Sequence, residues 1–140
     1  MSVEYRKPLP GIDDVNRPYW EAARRHELVI QKCHRCGYYR YPPGTNCPDC
    51  LSDDLEWVKV SGRGTVFTWT VFHKVYHPAF AGDAPYAVVA VELEEGPRVT
   101  SNMVDCPLED IAAGMPVEVV FDDVTGEITL PKFRPIKQEG

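Results

Sequence analysis

Residues 33–50 read CHRCGYYRYPPGTNCPDC and hold four of the five cysteines of this 140-residue chain. They form two Cys-x2-Cys pairs separated by ten residues: Cys33 and Cys36, then Cys47 and Cys50. In each pair a tight turn directs two sulfurs at one point, and Gly37 supplies a flexible backbone after the first pair. Two such pairs satisfy the tetrahedral coordination of Zn²⁺ by four sulfurs. The stretch therefore predicts a structural zinc site whose four positions are all occupied by protein ligands.

Three other uses of the clustered cysteines stay open. Disulfides are rare in the cytosol, the compartment expected here because the sequence shows neither an apolar signal core nor a membrane-spanning apolar run. A redox Cys-x2-Cys pair normally opens a helix in a βαβ unit, which this sequence does not predict. Iron takes the same four-sulfur geometry as zinc, so the spacing does not separate the two metals. Cys106 lies far from the cluster, and its expected role is that of a small buried residue.

The rest of the chain predicts short strands and little helix, because thirteen prolines and ten glycines are spread along it. An amphipathic helix of about three turns is expected from Asn16, a candidate N-cap, to Leu28, with Trp20 and Ala23 on its buried face. Strands are predicted on both sides of the cysteines, at 28–32 and 55–60. Five more follow after residue 58, at 65–73, 86–93, 98–104, 117–123 and 128–135, with a helical link at 107–111 before the fourth.

Five short strands with one helical link suit a small closed barrel of the OB type. The predicted fold is mainly β. It has an N-terminal extension and helix over 1–30, a rubredoxin-like zinc ribbon over 31–57 and a five-stranded OB-fold barrel over 58–140. Because the ribbon has too little apolar periodicity to build its own core, we expect chelation of the metal to unfold it and leave the barrel largely intact.

Charge argues against a nucleic-acid partner. The formal net charge is −6, and residues 61–140 carry all of the excess, with six Lys/Arg against twelve Asp/Glu. Nucleic-acid binders usually present a basic face that replaces counterions. Single-stranded nucleic-acid binding nevertheless stays the alternative function, because OB barrels stack bases on aromatic side chains. The candidates for stacking are Trp57, Phe67, Trp69 and Phe72, although their alternation is also that of core residues.

The sequence shows no recognisable catalytic constellation. It contains neither a Gly-x-Ser-x-Gly elbow nor a phosphate-binding P-loop. The adjacent carboxylates Glu94-Glu95 and Asp122-Asp123 lie in turns or point to opposite faces of a strand. A stand-alone enzyme using His73 or His77 is a weaker alternative. We therefore expect that the chain is not an enzyme on its own.

The ordered motifs resemble the zinc-ribbon/OB-fold family long known as domain of unknown function thirty-five. The resemblance is carried by Arg17-Pro18-Tyr19-Trp20, the cysteine stretch from Leu28 to Cys50, Gly62-Arg63-Gly64-Thr65-Val66 and PYAVVAVELEEGPRVTSNMV at 85–104. It implies a non-catalytic accessory or scaffold subunit of a thiolase-superfamily enzyme, a thiolase or an aldolase. It also implies a hetero-oligomeric complex that handles acyl-CoA, with no membrane partner.

The resemblance makes a CoA thioester a candidate ligand. The residues predicted to contact it are His73, His77, Phe80, Arg35 and Arg40. Phe80 lies in an apolar loop that could line an acyl chain or pantetheine. The arginines, with Arg24, Arg25 and Lys32, could meet the phosphates of CoA. For these cations a solvated surface is the alternative interpretation.

Overall fold

Two antiparallel sheets follow one short helix in the computed structural model, which describes residues 10–73 and 85–136. Helix α1 spans Arg17–Arg24. The ribbon sheet consists of β1 (Val29–Cys33), β2 (Tyr39–Arg40) and β3 (Leu55–Lys59), in the order β2-β1-β3. The barrel sheet consists of β4 (Arg63–Phe72), β5 (Tyr86–Leu93), β6 (Arg98–Asn102), β7 (Pro116–Asp123) and β8 (Thr129–Pro135), in the order β6-β5-β4-β7-β8. A 3-10 turn, Leu108–Asp110, lies between β6 and β7.

The barrel sheet curls until its two edge strands meet. Met103, just after β6, forms an isolated parallel bridge with Phe133 of β8, and the Val104 N–H donates to the Phe133 carbonyl at 2.8 Å. The Ser101 hydroxyl donates to the Pro131 carbonyl at 2.5 Å. Phe133 is fully buried at this closure. The mainly β fold with an N-terminal helix and a nearly closed five-stranded barrel is thus confirmed.

Ribbon and barrel share one hydrophobic core. Leu28 and Ile30 of the ribbon segment lie in the same buried cluster as the inward-facing barrel residues Val89 and Phe133. Ile30 is 0% exposed, so its whole side chain is packed against other residues of the protein. The ribbon is therefore anchored on the barrel rather than attached by a linker.

Two tyrosines connect the helix to both sheets. The rings of Tyr19 in α1 and Tyr41 in the ribbon are 6.2 Å apart, and the Tyr41 hydroxyl donates to the Thr100 carbonyl of β6 at 3.5 Å. Burial raises the pKa of Tyr19, with a further contribution from Tyr41. Both phenols therefore stay neutral and act as packing and hydrogen-bonding groups.

The helix is shorter than expected. It has eight residues rather than about three turns, and the chain leaves it before His26, whose φ of +60° is left-handed. Asn16 occupies the N-cap position, but its side chain caps no helical N–H group. Instead its Oδ1 accepts from the Asp13 N–H at 2.8 Å and its Nδ2 donates to the Gly11 carbonyl at 2.9 Å.

The buried face of the helix matches the expectation at Ala23 and differs from it at Trp20. Tyr19, Ala22 and Ala23 are buried, whereas Trp20 is only partly buried at the edge of the core. The spacing of three and four residues is as expected, but it starts from Tyr19. Within the described residues no helix is both long enough and apolar enough to cross a membrane.

Asp123, at the end of β7, fixes the turn that follows the helix. The His26 Nε2 lies 3.0 Å from both Asp123 carboxylate oxygens, and the Thr129 hydroxyl donates to Oδ1 at 2.5 Å. The His26 ring stacks on Phe121 with centroids 5.2 Å apart. The hydrogen bond from Thr129, then that from His26, lowers the pKa of Asp123.

This arrangement predicts an acid-sensitive contribution to stability. Because the pKa of Asp123 is lower folded than unfolded, the contribution is fully present above the ordinary carboxyl pKa of about 3.9. This contribution is lost as the pH falls through the pKa that Asp123 has in the folded state. Asp123→Asn should therefore lower stability at pH 7 and flatten its decline below about pH 4, measured by denaturant unfolding at stepped pH. Thr129→Ser keeps the donor and should retain the decline, whereas identical profiles for wild type and Asp123→Asn would contradict the assignment.

Candidate metal centre and adjoining cleft

The four clustered thiols converge on one point at the end of the ribbon sheet. All four Sγ atoms lie within 4.8 Å of one another, and two pairs, Cys33–Cys50 and Cys36–Cys47, are 3.6 Å apart. Four sulfurs at about 2.3 Å from a central Zn²⁺ in tetrahedral geometry would be about 3.8 Å apart. The donor set and its spacing therefore fit a four-sulfur metal ion.

The two Cys-x2-Cys turns have matching backbone geometry. The Gly37 N–H donates to the Cys33 carbonyl at 2.9 Å, and the Leu51 N–H donates to the Cys47 carbonyl at 2.9 Å. Gly37 and Leu51 both have left-handed backbones, with φ of +81° and +65°. The backbone N–H of Cys36, followed by that of Arg35, lowers the pKa of the Cys33 thiol to about 7. At Cys36 the backbone N–H of Tyr38 lowers the pKa, but burial and the neighbouring thiols outweigh it and raise the pKa to about 12. The thiolate that metals require is therefore favoured at Cys33 and not at Cys36.

Substitutions at the two left-handed positions, Leu51 and Gly37, should change the stability of the chain in opposite directions. Leu51 is 75% exposed and carries backbone strain that glycine would relieve, so Leu51→Gly should stabilise the chain by up to about 1 kcal/mol. A Cβ at Gly37 would meet nothing within 4 Å, so Gly37→Ala should cost about 1 kcal/mol through strain alone. Urea unfolding of both variants measures these changes. If the two substitutions changed stability in the same direction and by the same amount, the left-handed backbone at both positions would be contradicted.

Beside the metal centre, a cleft of about 530 Å³ separates the ribbon from the turn between β5 and β6. The ribbon contributes Tyr38, Tyr39, Arg40, Tyr41, Pro42 and Pro48, and the barrel contributes Glu92, Glu95, Gly96, Pro97 and Arg98. Pro48 lies inside the second cysteine pair, so the position of this wall depends on the metal centre. Sequence reasoning missed the cleft, since its two walls are far apart along the chain.

Comparison with known proteins identifies the family. Residues 20–56 match the profile described as "ChsH2, rubredoxin-like zinc ribbon domain", and residues 57–122 match "ChsH2, C-terminal OB-fold domain". A "DUF35 domain-containing scaffold protein" from Methanocaldococcus jannaschii is 39% identical over 130 residues, which covers 88% of this chain and 92% of the relative. The chain belongs to the DUF35 family.

Two further similarities extend across most of the DUF35 chain. A "Probable enoyl-CoA hydratase alpha subunit" from Thermomonospora curvata is 43% identical over 129 residues, and this match covers 92% of the chain. The DUF35 chain spans only 40% of that relative's length. A solved structure described as "Ltp2-ChsH2(DUF35) aldolase" matches with a TM-score of 0.81 and 42% identity, over 91% of the DUF35 chain and 98% of the other chain.

The candidate ligand residues of the DUF35 chain do not form one cluster. Arg40 lines the cleft, whereas Arg35 and His73 are exposed and are not among its lining residues. Arg35 lies in the first cysteine turn, and His73 directly follows β4. His77 and Phe80 lie outside the described residues. Contact of these five residues with a CoA thioester stays a prediction.

Two of the aromatic residues are more exposed than their alternation implied. Phe67 is 48% and Trp69 is 37% exposed, so the expectation of a core role was wrong for both. The register between β4 and β5 shifts between Val66 and Thr68, which interrupts the alternation at Phe67. The Arg98 guanidinium lies 3.7 Å from the centre of the Phe67 ring and covers it. Trp57 and Phe72 are half-buried.

Cys106 is separate from the metal centre. It is half-buried rather than buried, and its Sγ donates to the Pro107 carbonyl at 3.4 Å. Burial, followed by the nearby Asp110 and Glu109 carboxylates, raises the pKa of this thiol. A raised pKa disfavours the reactive thiolate. Cys106 therefore provides a natural control for experiments on the four clustered cysteines.

Proposed function

We propose that this chain is a non-catalytic accessory subunit of a thiolase-like or aldolase enzyme, within a hetero-oligomeric complex. The observation that carries the proposal is the likeness to the "Ltp2-ChsH2(DUF35) aldolase" chain, which extends over 98% of that chain at 42% identity. The similarity to a protein named as a scaffold supports the same role. The proposal that the partner enzyme is thiolase-like rests on the resemblance of the sequence motifs to the DUF35 family.

The proposed role of the metal is structural. Cys33, Cys36, Cys47 and Cys50 would hold one Zn²⁺, and their thiolates would complete its tetrahedral coordination. When bound, zinc supplies a cross-link between the two turns and leaves no open position for a substrate. The ribbon would then present a rigid surface for assembly.

We also propose that the assembled complex handles an acyl-CoA thioester in the cytoplasm. The acyl-CoA part of this proposal is supported by the similarity to the "Probable enoyl-CoA hydratase alpha subunit" from Thermomonospora curvata. Among the described candidates, Arg35 and His73 have the exposure that a ligand contact requires. The guanidinium of Arg40 instead donates to the Pro42 carbonyl at 3.1 Å and to the Asn46 carbonyl, so its first role is to hold the ribbon loop.

Affinity purification of the tagged chain from its native host, followed by mass spectrometry, tests the assembly. A thiolase-like or aldolase chain should be recovered in an amount comparable to the bait. Cys36→Ser should lose the partner together with the metal, whereas Cys106→Ser should retain both. Recovery of the folded wild-type chain as a lone monomer would contradict the proposal, and tight, salt-dependent oligonucleotide binding would favour the nucleic-acid alternative.

A further inference from the structure

The second half of β4 is a strand edge without a neighbouring strand. The first half is paired on both sides, with β5 and with β7, but the register with β7 ends at Thr65. Val66 still bonds to the link between β6 and β7: its N–H donates to the Met115 carbonyl at 3.0 Å, and the Gly114 N–H donates to its carbonyl at 2.8 Å. Beyond Val66, β4 pairs only with β5 among the strands that the structure describes.

The direction of the backbone groups at this edge follows from β5. The Met103 N–H donates to the Ala87 carbonyl at 3.4 Å, so Ala87 and, by alternation, Val89 direct their backbone groups at β6. Their partners in β4, Val71 and Trp69 respectively, therefore point their N–H and C=O groups away from β5. No hydrogen bond joins these four groups to another residue of the described chain. The edge thus offers two donors and two acceptors at the spacing of a β-ladder.

This edge has little protection against pairing with another chain. Four consecutive side chains, from Phe67 to Thr70, are exposed, so neither face of the strand is covered there. Residues 67–72, FTWTVF, contain no charge, no proline and no glycine. Proteins normally blunt an exposed edge with charges, proline or a bulge, because an apolar edge of high β-propensity otherwise pairs with other strands. The bulge at Phe67 lies before the open positions and not at them. Such an edge is typical of one that a further strand covers.

The charge beside the edge indicates which kind of strand fits. The link that bonds to Val66 carries Glu109 and Asp110, which are both exposed and form no ion pair within residues 10–73 and 85–136. A second copy of this chain would bring another net charge of −6 and its own acidic link, and like-charge repulsion disfavours that pairing. A basic segment is attracted to the same surface.

We propose that the edge of β4 at Trp69 and Val71 pairs with an extended, basic segment of the partner enzyme, which adds a strand to the barrel sheet. Backbone hydrogen bonds to these two residues supply the affinity in this mode of recognition. Lysine or arginine side chains of the segment lie near Glu109 and Asp110. The inference rests on the proposed function in requiring a partner protein, and it adds the surface and the chemistry of the contact.

Hydrogen exchange tests the pairing without any substitution. It is measured residue by residue, by mass spectrometry with electron-transfer fragmentation, on the free zinc-loaded chain and on the complex recovered by affinity purification. In the free chain the Trp69 and Val71 amides should exchange quickly, whereas the Thr70 amide, which faces β5, should exchange slowly. In the complex, exchange at Trp69 and Val71 should slow at least about tenfold.

Val71→Pro removes one outward N–H group and leaves the ladder with β5 in place, because proline is tolerated on the open side of an edge strand. It should lower the ratio of partner to bait about tenfold. Val71→Ala is the matched control, since it shortens the same side chain but keeps the N–H, and it should retain the partner. Circular dichroism and metal content of both variants verify that they are folded.

Glu109→Lys tests the charge of the segment. It should lower partner recovery about fivefold at about 50 mM NaCl and much less at about 500 mM, because salt screens the attraction between exposed charges. Glu127→Lys makes the same change of charge in the turn between β7 and β8, far along the chain from the link, and should have little effect at either salt concentration.

Three results would overturn the inference and leave the proposed accessory role standing. These are slow exchange of Trp69 and Val71 in the free chain, unchanged exchange of both in the complex, and full partner recovery by Val71→Pro. A wild-type dimer that Val71→Pro dissociates, measured by analytical ultracentrifugation, would identify a second copy as the occupant and overturn it as well. Failure of the wild-type chain to recover any partner would instead contradict the proposed function, and this inference with it.

Discussion

Removal of the metal is expected to unfold the cysteine turns and to destabilise the barrel as well. Structural zinc contributes about 10 kcal/mol or more of binding free energy in small domains, which is comparable to the whole stability of a domain. Without it, residues 33–55 have few buried apolar side chains to keep them folded. Because Leu28 and Ile30 belong to the core shared with the barrel, loosening β1 also removes packing from the barrel strands. The five barrel strands should persist as a sheet of reduced stability.

Hydrogen exchange measured by mass spectrometry, with and without a strong chelator, separates the two parts of this expectation. Amides of β1, β2 and β3 should lose protection first, and those of β5 should keep partial protection. Cys47→Ser should reproduce the effect of chelation, because Cys47 is buried among the four sulfurs. Cys106→Ser should keep both metal and protection. Unchanged exchange of the ribbon after verified metal removal would show that the ribbon folds without the ion.

Ile30→Ala should cost about 3 kcal/mol of unfolding free energy. Its side chain is 0% exposed, and truncating a fully buried isoleucine removes apolar contacts and leaves a cavity. The effect should appear as one cooperative transition for ribbon and barrel, because the side chain belongs to the core that both share. Denaturant unfolding followed by tryptophan fluorescence and by circular dichroism measures the change and its cooperativity.

The matched control is Leu51→Ala. It removes an aliphatic side chain of the same size from the same ribbon, but that side chain is 75% exposed, so stability should change by less than about 0.5 kcal/mol. Separate transitions for ribbon and barrel in Ile30→Ala, with the barrel midpoint unchanged, would contradict the shared core. That outcome would mean that the ribbon is an independent unit.

Most strands and the grouping of the four clustered cysteines could be predicted from the sequence, because both depend on local patterns. The continuous apolar run at 86–93 predicted β5, and Ala87, Val89 and Val91 within it are buried. The two-residue strand Tyr39–Arg40 was missed, since a strand this short has no readable period. The bulge at Phe67 was missed as well, because a register shift depends on the partner strand and not on the residue itself.

The cleft shows why part of the candidate site could not be predicted. Tyr38 lies just before β2 of the ribbon, and Glu95 lies in the turn between β5 and β6 of the barrel. Only the packing of ribbon on barrel brings them to the same cleft. Arg40 was predicted to contact a CoA thioester, and that contact stays a prediction. Its hydrogen bonds to the Pro42 and Asn46 carbonyls were not predicted, because they depend on the fold of the loop. The division of the chain at 57/58 into ribbon and barrel domains stays a prediction.

A closed four-sulfur metal site is the central claim, because an open position would make the metal available for chemistry. X-ray absorption spectroscopy at the metal edge of the purified chain tests it most directly. The expected result is one zinc per chain with four sulfur neighbours at about 2.3 Å and no lighter ligand. A nitrogen or oxygen neighbour in the first coordination sphere, or a folded chain with no metal, would contradict it.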